Sequence, residues 1–401
     1  MRNYLELADN DTLTKKFAGR TNWQGTSVSP VAFVNASGPL IGPIDLLRID
    51  AEGDEYVLLS HILTILRPTN VVFNSTYMSP GLYMSVDRRL ARWGYTYRGR
   101  SGDFVQYSRL SVLLVVQENW STGSIAKDLK CASQWCVDYL NWNQYPPDLN
   151  QIIEEYDAVA TFVLSSPSVW PLLGQHGVTC CATIEFPLLT KLSQKVLGGC
   201  FGSVSKELFY AMTKVDQSKE VYYTPASARA TRFQRRPARP LKTIGWCGVP
   251  GCEKKFGGVD AKQFGVFEEI VKVSGLTPLV SYQNYTYDTM QDFYDALDLL
   301  VCTSSTEGGP LGIFEAVACG VPVISTNVGL VKELNFIKTF ETIEEANELI
   351  EQLKDDTFRS EYTMHQYSQF IANWSMEQLV PHWEAFFNGC AKIHPGRVLQ
   401  F

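Results

Sequence analysis

The segment that most narrows the folds open to this chain spans residues 298–329, DLLVCTSSTEGGPLGIFEAVACGVPVISTNVG. Residues 297–302 read as a strand, 311–319 repeat apolar side chains at helical spacing, and 321–325 return to a strand pattern. Strand, loop, helix, turn and strand in this order make one unit of a parallel α/β sheet. The loop Glu307-Gly308-Gly309-Pro310 then leaves the carboxyl end of a strand, where open α/β sheets bind ligands. Its glycines let a ligand come close to the backbone. Pro310 suits the first turn of a helix, where its missing N–H has no partner in any case. The free amides of the next residues, with the helix dipole, attract an anion such as a diphosphate. Glu315 lies about one turn further in, placed to accept both hydroxyls of a ribose. Gly320 and Pro322 end the helix.

The rest of the chain divides into three regions. From residue 243 onward, strands are expected at 243–248, 279–282, 297–302 and 321–325, with helices at 261–273, 289–296 and 311–319. That alternation makes a doubly wound domain. Its tail, 363–387, has helical periodicity broken at Asn373-Trp374-Ser375, where Ser375 can cap a new helix. The middle region opens on the apolar run 111–116 and has further strand candidates at 158–164, 178–184 and 199–204, with helical segments between. Upstream, 44–49, 70–73, Gly94-Tyr95 and 104–107 read as strands and 55–66 and 80–93 as helices, half of an open α/β sheet. Residues 229–242 hold Arg229, Arg232, Arg235, Arg236, Arg239 and Lys242, two prolines and no acid. Such a stretch is a patch for phosphate or a membrane surface, or a solvated interdomain linker; its prolines favour the linker.

Composition removes several function classes. At 401 residues the chain is too long for one compact core. A formal net charge of -7 gives no electrostatic reason to approach nucleic acid. No apolar run reaches the roughly 18 residues that cross a bilayer, and the polar stretch after Met1 and Arg2 lacks the apolar core of a signal peptide. A soluble, cytoplasmic protein is the expectation, with peripheral contact the most it offers a membrane. The ten cysteines match neither a zinc ribbon nor a redox pair and read as reduced, buried, small hydrophobes. The five histidines form no local cluster, and the triplet Asp9-Asn10-Asp11 lies far from the glycine loop, so no metal site is expected.

The run EGGPLGIFEAVACGVPVI resembles the signature of glycosyltransferase family 4, a retaining family with the GT-B architecture of two facing Rossmann-like domains. Its hallmark is two glutamates separated by seven residues, the spacing of Glu307 and Glu315. The resemblance implies that Glu307 contacts the donor sugar and Glu315 the nucleotide ribose. It implies that the backbone of Gly308, Gly309, Pro310, Leu311 and Gly312 meets the sugar and phosphates, with Gly248 at the glycine turn of the donor domain. Lys262 then corresponds to the lysine over the diphosphate, where charge builds as the glycosidic bond breaks. Residues 203–208, 221–233, 290–298 and Trp374-Ser375 resemble further family segments. The last of these starts a final helix that crosses back to the N-terminal domain, so the likeness runs from about residue 111 to the end. The chain departs from the family in three places. Val249, Pro250, Gly251 and Cys252 come after Gly248 without the usual arginine, for which Lys254 or Lys255 are the substitutes at hand. Ala226-Ser227 comes after Pro225, where the family commonly has Asn-Gly, and no clear histidine marks an N-domain loop, His176 being nearest.

Residues 44–59, IDLLRIDAEGDEYVLL, resemble a second family, the FkbM-like methyltransferases that use S-adenosylmethionine. The match rests on Ile49, Asp50, Glu52, Gly53 and Glu55 after an apolar strand. The cofactor's glycine-rich loop belongs upstream, and the first 43 residues contain no G-x-G and no space for three strands with their helices. The implied picture is the C-terminal part of a methyltransferase that does not bind S-adenosylmethionine; an unrelated accessory domain is the alternative. The domains expected are therefore 1–109, the partial methyltransferase-like domain; 110–238, the GT-B acceptor domain; 239–372, the donor domain; and 373–401, the returning helix. The function expected is a retaining transfer of a sugar from a nucleotide-diphospho sugar to a glycan, lipid-linked or protein acceptor, with no cofactor. A weakened nucleotide-sugar binder and a methyltransferase carrying a glycan-binding module are the other readings.

Overall fold

The structure is a computed structural model that describes residues 3–8, 12–17, 20–24, 46–50, 59, 63, 68–76, 78–144, 149–162, 177–180, 200–215, 217, 220–250, 260–282 and 284–393. It separates into two compact units, Met1–Ser111 with Gln134–Cys136, and Val112–Ser133 with Val137–Phe401.

The first unit holds a seven-stranded sheet of β1 (Asn3–Ala8), β2 (Thr12–Phe17), β3 (Arg20–Gln24), β4 (Leu46–Asp50), β5 (Asn70–Asn74), β6 (Tyr95–Ser101) and β7 (Phe104–Arg109), in the order β3-β2-β1-β4-β5-β7-β6. β1, β4 and β5 run parallel, and β7 lies antiparallel between β5 and β6. The chain is helical at Leu59 and Leu63, which lie on one helical face and are both buried. Helix α1 (Pro80–Arg92) joins β5 to β6; Ser79 Oγ accepts from the Leu82 amide at 3.3 Å, and Val86 and Leu90 turn into the core beside Leu47, Ile49, Val71 and Phe73. Among the described residues from 46 to 109, the strands and α1 come in the order the sequence predicts, and most of the expected helix at 55–66 lies outside the described residues. Upstream, the described residues add three strands that the sequence does not predict, β1 pairing antiparallel with β2 and β2 with β3.

The second unit carries two parallel sheets. The first contains β8 (Ser111–Val116), β9 (Cys136–Asn141), β10 (Ala158–Thr161), β11 (Gly177–Cys180), β12 (Cys200–Ser203) and β13 (Glu220–Tyr223), ordered β13-β12-β11-β10-β8-β9. Helix α2 (Ser121–Ala132) follows β8, α3 (Leu149–Glu154) precedes β10 and α4 (Lys206–Val215) links β12 to β13. The second contains β14 (Thr243–Trp246), β15 (Thr277–Val280), β16 (Leu299–Cys302), β17 (Val323–Thr326) and β18 (Lys338–Phe340), ordered β15-β14-β16-β17-β18. Its helices are α5 (Phe264–Ser274), α6 (Met290–Asp295), α7 (Leu311–Ala318) and α8 (Ile343–Lys354). Ile244, Trp246, Leu299, Val301 and Ile324 of its strands bury against Phe267 and Ile270 of α5 and Ile350 and Leu353 of α8. Each such side chain removed from water contributes about 1.5–3 kcal/mol.

Helix α9 (Asp356–Gln369) runs into a π-type turn at Phe370–Trp374, and an extended Ser375 separates that turn from α10 (Met376–Ile393). Helix α10 packs on the first sheet. Its buried Trp383 donates from Nε1 to the Pro225 carbonyl at 3.1 Å and lies 5.5 Å from the Phe162 ring, and Phe386 meets Tyr222 at 6.1 Å. No helix among the described residues is long and apolar enough to cross a membrane.

Several elements differ from the sequence reading. β9, β18 and α8 were not anticipated. β9 has a single buried side chain, and β18 is three residues long, so neither prints a clear period. Helix α5 begins at Phe264 rather than 261, because Gln263 takes φ 49° and turns the chain. The buried-thiol reading holds for Cys200, Cys319 and Cys390. It fails for Cys131, which is exposed on α2, and for Cys136, Cys247 and Cys302, which are partly exposed.

Candidate active site

The glycine loop and α7 gather the charged residues that the sequence singled out. Pro310 precedes α7 at its N-cap with φ -72°, and its carbonyl accepts from the Ile313 amide at 3.1 Å, leaving Leu311 and Gly312 as the first helical residues. On the loop, Glu307 is 14% exposed at its side chain and forms an ion pair with Lys262; Ser304 Oγ donates to the same oxygen, Oε1, at 3.2 Å. Lys262 is brought there by a built turn. Asp260 Oδ1 accepts from the Gln263 amide at 2.7 Å, and the Thr303 hydroxyl lies 2.9 and 3.1 Å from the carbonyls of Lys262 and Gln263. Trp246 Nε1 donates to that hydroxyl at 3.0 Å, so the end of β14, the Lys262 turn and the end of β16 share one hydrogen-bond centre.

The loop backbone is closely framed. The Gly308 carbonyl accepts from the Leu330 amide at 2.9 Å, and a Cβ on Gly329, whose φ is 51°, would stand 2.0 Å from the Glu307 carbonyl oxygen. A Cβ on Gly309 would fall 2.7 Å from the Ala226 side chain, which explains small residues after Pro225. At Gly312 the missing Cβ gives room to Cys247 and the Tyr294 hydroxyl, 3.2 and 3.3 Å away. Gly248 donates from its amide to Ser281 Oγ at 3.1 Å at the end of β14.

Glu315 points inward rather than to open solvent. It is 4% exposed, with Arg232 Nη1 donating to Oε1 at 2.9 Å and the Tyr294 hydroxyl donating to Oε2 at 2.8 Å. Arg232 itself is 6% exposed at its side chain and lies 3.7 Å from Asp128 Oδ2. Its guanidinium stacks 3.7 Å over the Tyr287 ring and donates to the Tyr287 carbonyl at 2.6 Å. Asp128, fully buried on α2, accepts from the Tyr287 hydroxyl at 2.5 Å and the Arg229 amide at 3.0 Å. Burial holds both carboxyls above their usual range; Arg232 opposes this at Glu315, and Tyr287 and Arg232 oppose it at Asp128. Burial likewise pushes the Cys247 thiol up to about 12.

These partners correct the linker reading of residues 229–242. Arg232 is buried in the site, Arg236 donates to the Leu297 and Tyr294 carbonyls, and Arg239 Nε donates to Asp298 Oδ1 at 3.0 Å. Asp128, Tyr287 and Tyr294 were not singled out from the sequence, and Arg232 was named only as one of the basic residues of 229–242. The available signal was Asp128 itself, the one charged residue on a helix face that otherwise buries Thr122, Gly123, Ile125, Ala126 and Leu129. Cys252, Lys254, Lys255, His176, Glu52, Gly53, Glu55 and the triplet Asp9-Asn10-Asp11 lie outside the described residues. Among the described residues no cluster of three or more His, Cys, Asp or Glu could hold a metal ion.

Residues 257–355 match the family described as Glycosyl transferases group 1, a span that includes Lys262, Glu307 and Glu315. No curated protein matches the chain. Among solved structures, Anabaena Alr3699/HepE in complex with UDP-glucose is similar at a TM-score of 0.50 and 12% identity, over 70% of this chain and 100% of that one. Sucrose-phosphate synthase from Thermosynechococcus elongatus gives 0.50 at 13% identity, over 70% and 98%. A TarM variant from S. aureus gives 0.46 at 13% identity over 58% of this chain, which spans only 56% of the TarM length. At such identities the likeness is one of fold. Residues 257–355 thus match a glycosyl transferases group 1 domain, within a chain that shares the GT-B fold of these structures over about 70% of its length.

Proposed function

We propose that the protein is a retaining glycosyltransferase that moves a sugar from a nucleotide-diphospho sugar to a glycan, lipid-linked or protein acceptor. The observation that carries this reading is the Lys262–Glu307 pair beside the amino end of α7, with Glu315 further along the same helix. A cation, the amino end of a helix and two carboxylates then stand on neighbouring elements, a set of groups suited to sugar, diphosphate and ribose. In this reading Glu307 contacts the sugar, and Lys262 turns from it to the diphosphate. The backbone from Gly308 to Gly312 meets the phosphates, and Glu315 takes the ribose. Charge that builds on the leaving diphosphate is met by Lys262 and the helix amides, the kind of preorganised stabilisation that removes several kcal/mol from a barrier. The leaving phosphate helps deprotonate the acceptor on the same face, so the anomeric configuration is retained, and no metal is required.

The absence of an arginine after Gly248 favours a second reading, a nucleotide-sugar binder with little turnover. Nucleotide release from UDP-, GDP- and ADP-sugars, with mixed glycan acceptors and Glu315→Ala as control, separates the two. Release of one nucleotide that the substitution abolishes supports the transferase. Binding without release supports the binder, and no binding at all removes the donor site. If a product forms, an inverted anomer in its NMR spectrum sinks the retaining mechanism.

A further inference from the structure

The position of Arg232 bears on how a nucleotide could reach Glu315, a question that arises only if the donor-site reading is right. Both carboxylate oxygens of Glu315 are already engaged, Oε1 by Arg232 and Oε2 by Tyr294, and the side chain is almost closed to solvent. Each oxygen can accept a second hydrogen bond, but with the side chain almost closed to solvent a ribose diol reaches this carboxylate only if a covering group moves aside. Tyr294 is fully buried on α6, whereas Arg232 reaches in from the 3₁₀ turn Ala230–Arg232. Arg232 is also the partner with somewhere to go. Asp128 Oδ2 lies 3.7 Å from Nη1, close enough for ion pairing and beyond hydrogen-bond distance. The Tyr287 ring supports the guanidinium plane between the two acids. The buried Arg232 Nε has no hydrogen-bond partner, so the guanidinium is incompletely satisfied where it stands.

We propose that Arg232 covers Glu315 in the empty site, and that the ribose of a nucleoside diphosphate takes its place while the guanidinium passes to Asp128. Arg232 and Asp128 are then positioning residues that act through Glu315. The exchange keeps every buried charge accompanied. Asp128 gains a full ion pair, and Glu315 keeps the Tyr294 hydroxyl and adds two hydroxyls from the sugar. An acid left without any partner at this depth would be strongly unfavourable, which is why a second carboxylate near Arg232 is needed. The two acids sit on helices that come after strands of different sheets, Asp128 on α2 after β8 and Glu315 on α7 after β16, so the arginine bridges both sheets of the unit.

The test is calorimetric titration of the full chain with UDP, GDP and ADP and with their 2′-deoxy counterparts, using wild type, Arg232→Met and Asp128→Asn. Methionine keeps the volume of the stem and removes the competing donor. It should tighten binding of the preferred nucleotide about tenfold, the size of one charge-assisted hydrogen bond that no longer has to break. The gain should shrink for the 2′-deoxy form, which offers Glu315 one hydroxyl instead of two. Asp128→Asn removes the receiving charge and should weaken binding by a similar factor. A structural role for Arg232 would not produce a gain that depends on the 2′-hydroxyl. Equal or weaker binding by a folded Arg232→Met protein overturns the proposal and leaves the donor site standing. If that variant fails to fold, Asp128→Asn decides alone, and unchanged or tighter binding overturns the proposal. If no protein binds any of the nucleotides, the proposal and the donor-site reading fall together.

Discussion

Asp128 and Glu315 are two carboxylates withdrawn from water on either side of one guanidinium. Burial is the largest influence on both and raises them above the ordinary values of 3.8 and 4.5. A carboxyl raised in the folded state binds its proton more tightly there than in the unfolded chain, so stability falls as pH rises between the two values. The contribution is complete below the unfolded values and is lost as pH climbs through the raised ones. Asp128→Asn removes one of the two titrations. It also eases the other, because the negative charge of Asp128 is among the influences that raise Glu315. Urea unfolding from about pH 4 to about pH 7 should therefore show the wild type losing stability relative to Asp128→Asn as pH rises. A difference between the two proteins that stays constant, or moves the other way, would mean that Asp128 is not held up by burial.

At the scale of elements, the two turns on either side of β17 decide where the loop can lie. Gly320 ends α7 with φ 76°, and a Cβ there would stand 2.3 Å from the Arg236 carbonyl oxygen. Gly329 comes after β17 and presses on the Glu307 carbonyl. Alanine at either position adds left-handed strain and a collision with backbone, costing about 1–3 kcal/mol. The consequences should divide. Both variants should melt earlier, but Gly329→Ala should also weaken nucleotide binding, because it moves the segment that carries Glu307. A Gly329→Ala protein with undiminished affinity would show that the Glu307 loop does not serve the nucleotide. The sequence made this part of the molecule readable because strand, glycines, proline and helix are contiguous from 298 to 329, and each constrains its neighbour. It made Arg232 unreadable for the opposite reason. Its partners Asp128 and Glu315 are brought to it by other strands and helices, and nothing local distinguishes the one buried against them from the more exposed Arg235 or Arg239. The β9 strand was missed because its one buried residue leaves no period to detect.

The whole molecule consists of two units with separate cores, and every residue of the candidate site belongs to the second. Units with their own cores need not unfold in one step. A ligand stabilises the unit it binds by mass action, about 2.7 kcal/mol at a hundred times its dissociation constant. Calorimetric melting of the full chain with a saturating nucleotide should raise the transition of the second unit and leave that of the first in place. S-adenosylmethionine should move neither. The resemblance around Asp50 to a methyltransferase would call for a glycine loop and helix after β1, but only residues 9–11 separate β1 from β2, which pairs with it antiparallel. A connection of three residues holds no helix, so none stands between β1 and β2 to offer its amino end to the cofactor. If S-adenosylmethionine raises the first transition, the unit binds that cofactor through a different arrangement and the reading of it as a non-binder is wrong. If a nucleotide raises both transitions together, the two units unfold as one cooperative body, and the first unit contributes to the stability of the site without contributing a residue to it.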